Sequence, residues 1–229
     1  RHLINTHADG DHCWGNQLFA HVPITATRAS MAQIRQHPPS QLRALQLGAT
    51  LMQRVPVAQV DALGRYMGDM LRPYRFRGVK VLAPNRTFSG ETTLDVGGVQ
   101  LQLTEVGPGH TDGDCIVHLP QRGVVFTGDI LFVGVTPVAW AGPVSGIVAA
   151  LERVLALRPE VIVPGHGWLA TPADVQLQID YWGWVQSSLQ PLARSGMTPL
   201  QASRECLACS TFKSSPFATW IAPERLFTS

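Results

Sequence analysis

Side chains that could bind a metal ion are concentrated in one stretch near the start of the sequence. Two imidazoles and two carboxylates occur within six positions, at His7, Asp9, Asp11 and His12. If the segment is extended, alternation points the first three to one side, and a turn after Gly10 brings the fourth round to them. Two carboxylates this close would repel each other unless a cation lay between them. The stretch therefore predicts a metal-binding segment at the end of a strand.

Three later segments share one pattern, in which an apolar strand ends in a glycine followed by a ligand-type residue. The pattern occurs at Val106–His110, Val125–Asp129 and Val161–His166. A glycine beside the ligand leaves room for the backbone to bend and to approach a metal. Each segment taken alone is also typical of an ordinary turn with a polar surface residue. Because four strand ends carry such residues together, we favour one shared metal site over four unrelated turns.

The elements that would position these side chains alternate between strands and helices. Strands are predicted at 22–26, 78–84, 86–88, 92–96, 99–106, 116–119, 124–127 and 161–163, and helices at 30–36, 147–157 and from about 173 onward. A helical insertion at about 41–74 has an apolar face that would pack on the protein body, or would also roof a substrate pocket. Antiparallel strand pairs with helices between them favour layered sheets covered by helices, in a single domain over 1–229.

The composition is that of a folded globular chain and excludes several classes of partner. Of the 229 residues, 45% are hydrophobic and 15% are charged, and the formal net charge is +2. These values exclude a disordered chain and give no case for nucleic acid or a membrane as the main partner. Four cysteines do not make a disulfide framework at this length, so we expect a reducing, cytoplasmic location.

In this order, the motifs resemble those of the metallo-β-lactamase superfamily of metal-dependent hydrolases. That family carries His-x-His-x-Asp-His, then Gly-His, Gly-Asp and a final Gly-His, and the resemblance extends from about Leu3 to Gly167. It implies an α/β fold, an αββα sandwich in which helices cover two packed sheets. It also implies two divalent metal ions, with zinc as the first expectation. The implied ligands are His7, Asp9, Asp11, His12, His110, Asp129 and His166.

The family pattern divides these ligands between two metals bridged by Asp129. The first metal would be bound by His7, Asp9 and His110. The second would be bound by Asp11, His12 and His166. The family has a histidine where this chain has Asp9, and the extra carboxylate makes the first site harder and more anionic. Either iron or manganese binds there more readily than zinc, or the first site is weak and only the second is reliably filled. A third alternative is that Asp9 serves as a hydrogen-bond acceptor for a ligating histidine.

The resemblance also bears on the start of the chain. The family fold places several strands of the first sheet before the motif, and this sequence has none before Leu3. An unpaired apolar sheet edge would be exposed if those strands were missing. We therefore expect either a longer product or a companion polypeptide that supplies them.

Within the superfamily, residues 6–17 and 137–143 resemble the cyclase–thioesterases of bacterial aromatic polyketide pathways. The resemblance implies ring closure by aldol chemistry and release of the chain from an acyl carrier protein by thioester hydrolysis. The pair of cations would supply a hydroxide, and Asp11 and Asp129 would be the catalytic carboxylates. The alternatives are a general hydrolase of lactones, thioesters or β-lactams, and a binding module whose metal site is degenerate. A homo-oligomer is left open.

Three residues near the ligands have less direct roles. Asp112 and Asp114 follow His110 closely, and we expect them to orient a ligand imidazole rather than to take part in catalysis directly. Cys13 follows His12 and could act as a nucleophile, but a passive small side chain is the favoured interpretation.

Overall fold

A computed structural model describes residues 1–36, 38–209 and 213–220 of the chain. Along the chain, the strands of a three-stranded sheet alternate with helices, the strands of a five-stranded sheet follow, and helices come toward the end. None of the helices within these ranges combines the length and the apolar character that a membrane span requires.

The first sheet is short and entirely parallel. It consists of β1 (Leu3–Ile4), β2 (Ile24–Thr27) and β3 (Arg86–Phe88), in that order. All four residues of β2 are buried, as expected for the central strand of a parallel sheet covered on both faces. Helix α2 (Arg28–Gln36) follows β2 directly and packs on β2 and β3.

The second sheet has five strands and is antiparallel except at one edge. Its order is β4 (Glu91–Val96), β5 (Val99–Glu105), β6 (Cys115–Leu119), β7 (Val124–Phe132) and β8 (Val161–His166). Gly97 and Gly98 join β4 to β5 and both have positive φ, 66° and 82°, as a two-residue hairpin turn demands. Strand β8 runs parallel to β7 because helix α5 (Val144–Ala156) crosses over between them.

Two apolar layers hold the sandwich together. Between the sheets, Phe88 packs with Leu103, Cys115 and Val117. The opposite face of the second sheet is covered by α5 and by α6 (Pro172–Arg194), whose apolar residues join Ile130, Leu131 and Ile162 in the larger core. The layers are therefore helix, sheet, sheet and helix, and the predicted αββα sandwich is confirmed.

The predicted helical insertion consists of two helices, α3 (Pro39–Met52) and α4 (Ala58–Leu71), that pack on each other. At their contact, a side chain at Gly64 would lie 2.8 Å from the carbonyl oxygen of Ala49, so a glycine is required there for this close approach. The C-terminal helical portion consists of α6 and α7 (Pro199–Ala208).

The predicted strand at 78–84 is wrong. The segment pairs with no strand among the described residues, and side chains satisfy part of its backbone instead. The Lys80 N–H donates to Gln17 Oε1, and the Leu82 carbonyl accepts from Asn16 Nδ2, each at 2.9 Å. An apolar, extended sequence pattern does not distinguish such a segment from a sheet strand. In both, each buried backbone N–H and carbonyl group needs a hydrogen-bond partner, which can be a strand or a side chain.

Candidate metal centre

The seven predicted ligands meet at one place, although four separate segments supply them. His7 lies just after β1, Asp9 leads into the short helix α1 (Gly10–Cys13), and His110 lies between β5 and β6. Asp129 lies within β7, and His166 is the last residue of β8. The side chains fall into two groups, in each of which the ligand atoms lie within 4.8 Å of one another. The first group is His7, Asp9, His110 and Asp129, and the second is Asp11, His12 and His166.

The Asp129 carboxylate lies between the two groups. Its Oδ2 is 3.4 Å from His110 Nε2, 3.3 Å from His166 Nε2 and 3.8 Å from His7 Nε2. Its Oδ1 is 3.2 Å from His12 Nε2. One buried carboxylate thus faces four imidazoles, which is the geometry required of a group that could be shared between two cations.

Two positions near Asp129 have space only for glycine. Gly128 has φ 53°, the pairing of β7 with β8 is irregular around it, and a Cβ there would lie 2.7 Å from Thr6 Oγ1. A Cβ at Gly165 would lie 2.8 Å from the Asp129 amide nitrogen and would collide with its carboxylate. Asp129 therefore projects from an irregularity inside β7, and the expectation that it follows the end of that strand is corrected.

A buried pair of amides fixes the first ligand stretch. Asn5 and Asn16 exchange two side-chain hydrogen bonds of 2.9 Å, and both residues are almost fully buried. Asn5 Nδ2 also donates to the His12 carbonyl at 3.0 Å. The pair therefore ties the strand before His7 to the turn that carries His12. Neither residue was predicted from the sequence, because an asparagine gives no local signal of a distant partner beyond its polarity.

The His110 ring is oriented by a backbone carbonyl. Its Nδ1 bonds the Val138 carbonyl at 2.8 Å, which leaves Nε2 facing Asp9 Oδ2 at 3.0 Å. The expectation that Asp112 or Asp114 orients a ligand imidazole is wrong. Asp114 is buried and accepts hydrogen bonds from the backbone and hydroxyl of Thr111, whereas Asp112 accepts one from Gln33 at the surface.

Cys13 has no features of a nucleophile. Its side chain is 2% exposed, and its Sγ lies 3.5 Å from the Ala8 carbonyl. Burial raises the pKa of the Cys13 thiol to about 12, so the reactive thiolate is scarce at neutral pH. The passive role favoured for this residue agrees with its surroundings.

The donor set fits divalent cations. In the part of the chain that the structure describes, His7 Nε2 and Asp129 Oδ1 are buried without a hydrogen-bond partner, although His7 Nδ1 has one in Thr6 Oγ1. The Nε2 atoms of His12 and His166 lie only 3.2 Å apart. Unpaired buried polar atoms are costly, and a metal ion removes that cost by accepting lone pairs from nitrogen and oxygen together. The cluster therefore indicates divalent metal ions.

Hydrogen bonds and burial shift the pKa values of the ligands. Hydrogen bonds to Asp11 and Asp129 raise the pKa of His166 to about 10. Burial opposes the charge on His110, but its hydrogen bond to Asp9 raises the pKa of His110 to about 9. Burial also lowers the pKa of His7 to about 4, so this ring is neutral. Both Asp11 and Asp129 have a pKa below the usual range, because neighbouring imidazoles outweigh their burial.

Metal binding at pH 7 is therefore expected to release protons. His110 and His166 are protonated at pH 7 because both pKa values lie above it, yet each ring must be neutral to bind a metal. Affinity should rise with pH by about tenfold per pH unit for each proton displaced, up to about pH 9. Calorimetric titration with Zn²⁺ in buffers of different ionisation enthalpy measures the release. Heats that do not depend on the buffer would contradict it.

Aromatic side chains surround the cluster. The Phe132 ring stacks on His166, with centroids 5.4 Å apart and planes within 9°, and it also contacts His110. Trp140, which is 71% exposed, donates from Nε1 to Asp9 Oδ2 at 3.1 Å. Trp168 is 66% exposed and packs against Gly134 in the segment that follows β7. An exposed indole beside a polar cluster, as at Trp140, is typical of a site that binds an apolar or aromatic ligand.

Comparison with known proteins identifies relatives of this arrangement. Residues 1–166 match the sequence model described as the Metallo-beta-lactamase superfamily. The chain is 30% identical over 113 residues to a hydroxyacylglutathione hydrolase of Erythrobacter litoralis (strain HTCC2594), a match that covers 45% of this chain and 45% of the relative. It is 24% identical over 122 residues to the 2,4-dinitroanisole O-demethylase subunit alpha of Nocardioides sp. (strain JS1661), covering 51% of this chain and 36% of the relative.

The fold also has solved counterparts. A double mutant of the sec-alkyl sulfatase PisA1 from Pseudomonas sp. superposes with a TM-score of 0.64 at 17% identity. The superposition covers 96% of this chain and 38% of the sulfatase. At this identity the likeness concerns the fold alone. The chain spans less than half the length of the curated relatives that it matches.

Proposed function

The chain belongs to the metallo-β-lactamase superfamily, and we propose that it is a metal-dependent hydrolase that cleaves acyl thioesters. The observation that carries the proposal is the position of Asp129, whose buried carboxylate faces four imidazoles and can link two metal ions. The hydroxyacylglutathione hydrolase among the relatives supports an acyl group as the part of the substrate that reacts.

The proposed cofactor is a pair of divalent ions, with zinc as the first candidate. His7, Asp9, His110 and Asp129 would hold the first ion, and the second would lie among the remaining three ligands and Asp129. Each ion would then have two nitrogen and two carboxylate donors. Because Asp9 makes the first site harder than three imidazoles would, iron or manganese is the alternative there.

The chemistry divides between the ions and the chain. When bound, the ions would lower the pKa of a water molecule and polarise a carbonyl oxygen. Asp11 is the more accessible carboxylate, with 43% of its side chain exposed, and its Oδ2 lies 3.3 Å from both His12 Nε2 and His166 Nε2. It can therefore stay ionised and accept a hydrogen bond from a water molecule at the open side of the site, whereas Asp129 remains buried and ionised between the imidazoles.

The finer proposal concerns the substrate. We propose a carrier-protein-bound aromatic polyketide, whose ring closure and thioester release would occur at the same cations. The proposal is supported by the likeness of residues 6–17 and 137–143 to cyclase–thioesterases, and by the exposed indole of Trp140 beside Asp9. A flat substrate made mostly of carbon suits an exposed aromatic surface. Two further proposals concern partners: a companion polypeptide that supplies strands of the first sheet, and association of the chain with copies of itself.

A comparison of chelated and metal-reloaded protein tests the hydrolase. We expect an S-acyl-N-acetylcysteamine thioester to be cleaved by the reloaded protein and not by the chelated one. A lactone and nitrocefin, assayed in parallel, separate a thioesterase from a general hydrolase of lactones or β-lactams. Full activity after chelation, with the metal shown by elemental analysis to be gone, would contradict the proposal. Stoichiometric metal without turnover of any of the three substrates would favour a binding module instead.

A further inference from the structure

The loop of residues 138–142 is hydrogen-bonded to both the side-chain ring and the main chain of His110. The His110 Nδ1 bonds the Val138 carbonyl at 2.8 Å. The His110 carbonyl accepts from the backbone N–H groups of Trp140 at 2.8 Å and Ala141 at 3.2 Å. Gly142, with φ 58°, closes the loop against the chain before His110, where a Cβ would lie 2.8 Å from the Gly109 nitrogen. The position of this loop is therefore tied to that of His110.

The same loop reaches the second residue of the first group. The Trp140 indole N–H donates to Asp9 Oδ2 at 3.1 Å, and this oxygen is also 3.0 Å from His110 Nε2. Because 71% of Trp140 is exposed, burial of apolar surface does little to hold the ring in place. The hydrogen bond to Asp9 accounts for its orientation. An indole nitrogen carries a proton and has no free lone pair, so it can orient a ligand but cannot replace one.

We propose that Trp140 is the positioning residue for Asp9, and that it adapts the first metal site to a carboxylate where the family pattern has an imidazole. An imidazole nitrogen has a single lone pair that points along a fixed direction of the ring. A carboxylate has two oxygens and several lone pairs, so at a partly exposed position it can present different atoms by rotating. An N–H donor on one oxygen removes that freedom and keeps the charge directed toward His7 and His110. The inference rests on the metal site of the proposed function and does not depend on hydrolysis.

The alternative role for an exposed tryptophan is contact with substrate only. The two roles differ in what they do to metal binding when no substrate is present. Loss of a hydrogen bond to a metal ligand lowers metal affinity by about 10–100-fold, whereas loss of an indole surface that touches only substrate leaves it unchanged.

The variant Trp140→Phe, titrated with Zn²⁺ after chelation and without substrate, separates these roles. It keeps an aromatic ring at the position and removes only the donor and part of the ring area. We expect one equivalent of zinc to bind about 10–100-fold more weakly than in the unmodified chain, while the other equivalent keeps its affinity. The matched control is Trp184→Phe, which makes the same change on helix α6, where the indole contacts Tyr181 and Phe217 and none of the predicted metal ligands is present, and it should leave both affinities unchanged.

Two results would overturn the inference. One is wild-type affinity for both equivalents in Trp140→Phe. The other is an equal loss of affinity for both equivalents together with a lower Tm, since that pattern means general loosening of the fold. A wild-type chain that binds no zinc would contradict the proposed function as well. A chain that binds two equivalents but cleaves no thioester would contradict only the hydrolase.

Discussion

Asp129→Asn is expected to abolish the proposed activity, with a fall in kcat/KM of about 10³-fold and the loss of bound metal. The carboxylate lies 3.2–3.8 Å from four imidazole nitrogens. An amide of nearly the same size carries no charge, and its NH₂ group would face nitrogen atoms that a metal needs. Metal content by elemental analysis and thioesterase kinetics measure the two effects.

A matched control for this variant is Asp69→Asn. This variant also replaces a carboxylate by an amide, but at a side chain that is 67% exposed. Asp69 pairs with Arg72, at a distance of 3.6 Å. Exposed pairs of this kind contribute little, so metal content, activity and Tm should all be unchanged. Circular dichroism shows whether the Asp129→Asn protein is folded. If the folded variant retains two equivalents of metal and wild-type kinetics, the assignment of Asp129 as the shared ligand is contradicted.

The second large effect is expected for Gly165→Ala, which adds a single methyl group. That methyl would lie 2.7 Å from the Gly128 carbonyl carbon and 2.8 Å from the Asp129 nitrogen, and it would collide with the Asp129 carboxylate. Backbone atoms of a central strand cannot move aside, so β8 or Asp129 must shift. We expect a loss of about 1–3 kcal/mol in the free energy of unfolding and a marked fall in metal content.

Gly183→Ala is the corresponding control, because a Cβ at Gly183 has nothing within 4 Å. The position lies inside α6, where alanine is favoured over glycine by about 0.5–1 kcal/mol. Its Tm should therefore rise slightly and its metal content should stay unchanged. Chemical denaturation and elemental analysis of both variants make the comparison. A Gly165→Ala protein as stable and as metal-rich as the unmodified chain would show that β7 and β8 do not confine Asp129.

Local sequence was a good guide wherever neighbouring residues decide the structure. The strands predicted at 92–96 and 99–106 leave only Gly97 and Gly98 between them, and both residues have the positive φ that the hairpin between β4 and β5 requires. The antiparallel strand pairs with helices between them predicted the layers, since a sheet face or a helix stripe must bury its apolar residues whatever the partner is. The strand predicted at 78–84 failed because the side chains of Asn16 and Gln17 take the place of a neighbouring strand.

The partners of the ligands could not be predicted in the same way. Asp114 follows His110 by four residues, yet a carbonyl 28 positions away at Val138 orients the imidazole. The bond from Trp140 to Asp9 spans 131 positions. No periodicity or spacing encodes such pairs, because they depend on how the two sheets and their connecting loops pack.

By itself, the sequence determined which residues could bind a metal, their order along the chain and a layered arrangement of strands and helices. These follow from side-chain chemistry and from short-range preferences for strand, helix and turn. The αββα sandwich and the division of the ligands between two metals were implied by the resemblance of the motifs to the superfamily. Only the tertiary structure decided that Asp129 faces four imidazoles, that Asn5 and Asn16 hold the first ligand stretch, and that Trp140 reaches Asp9. The physical reason is that a hydrogen bond or a shared ligand needs atoms within about 3 Å, and packing over the whole domain sets those distances.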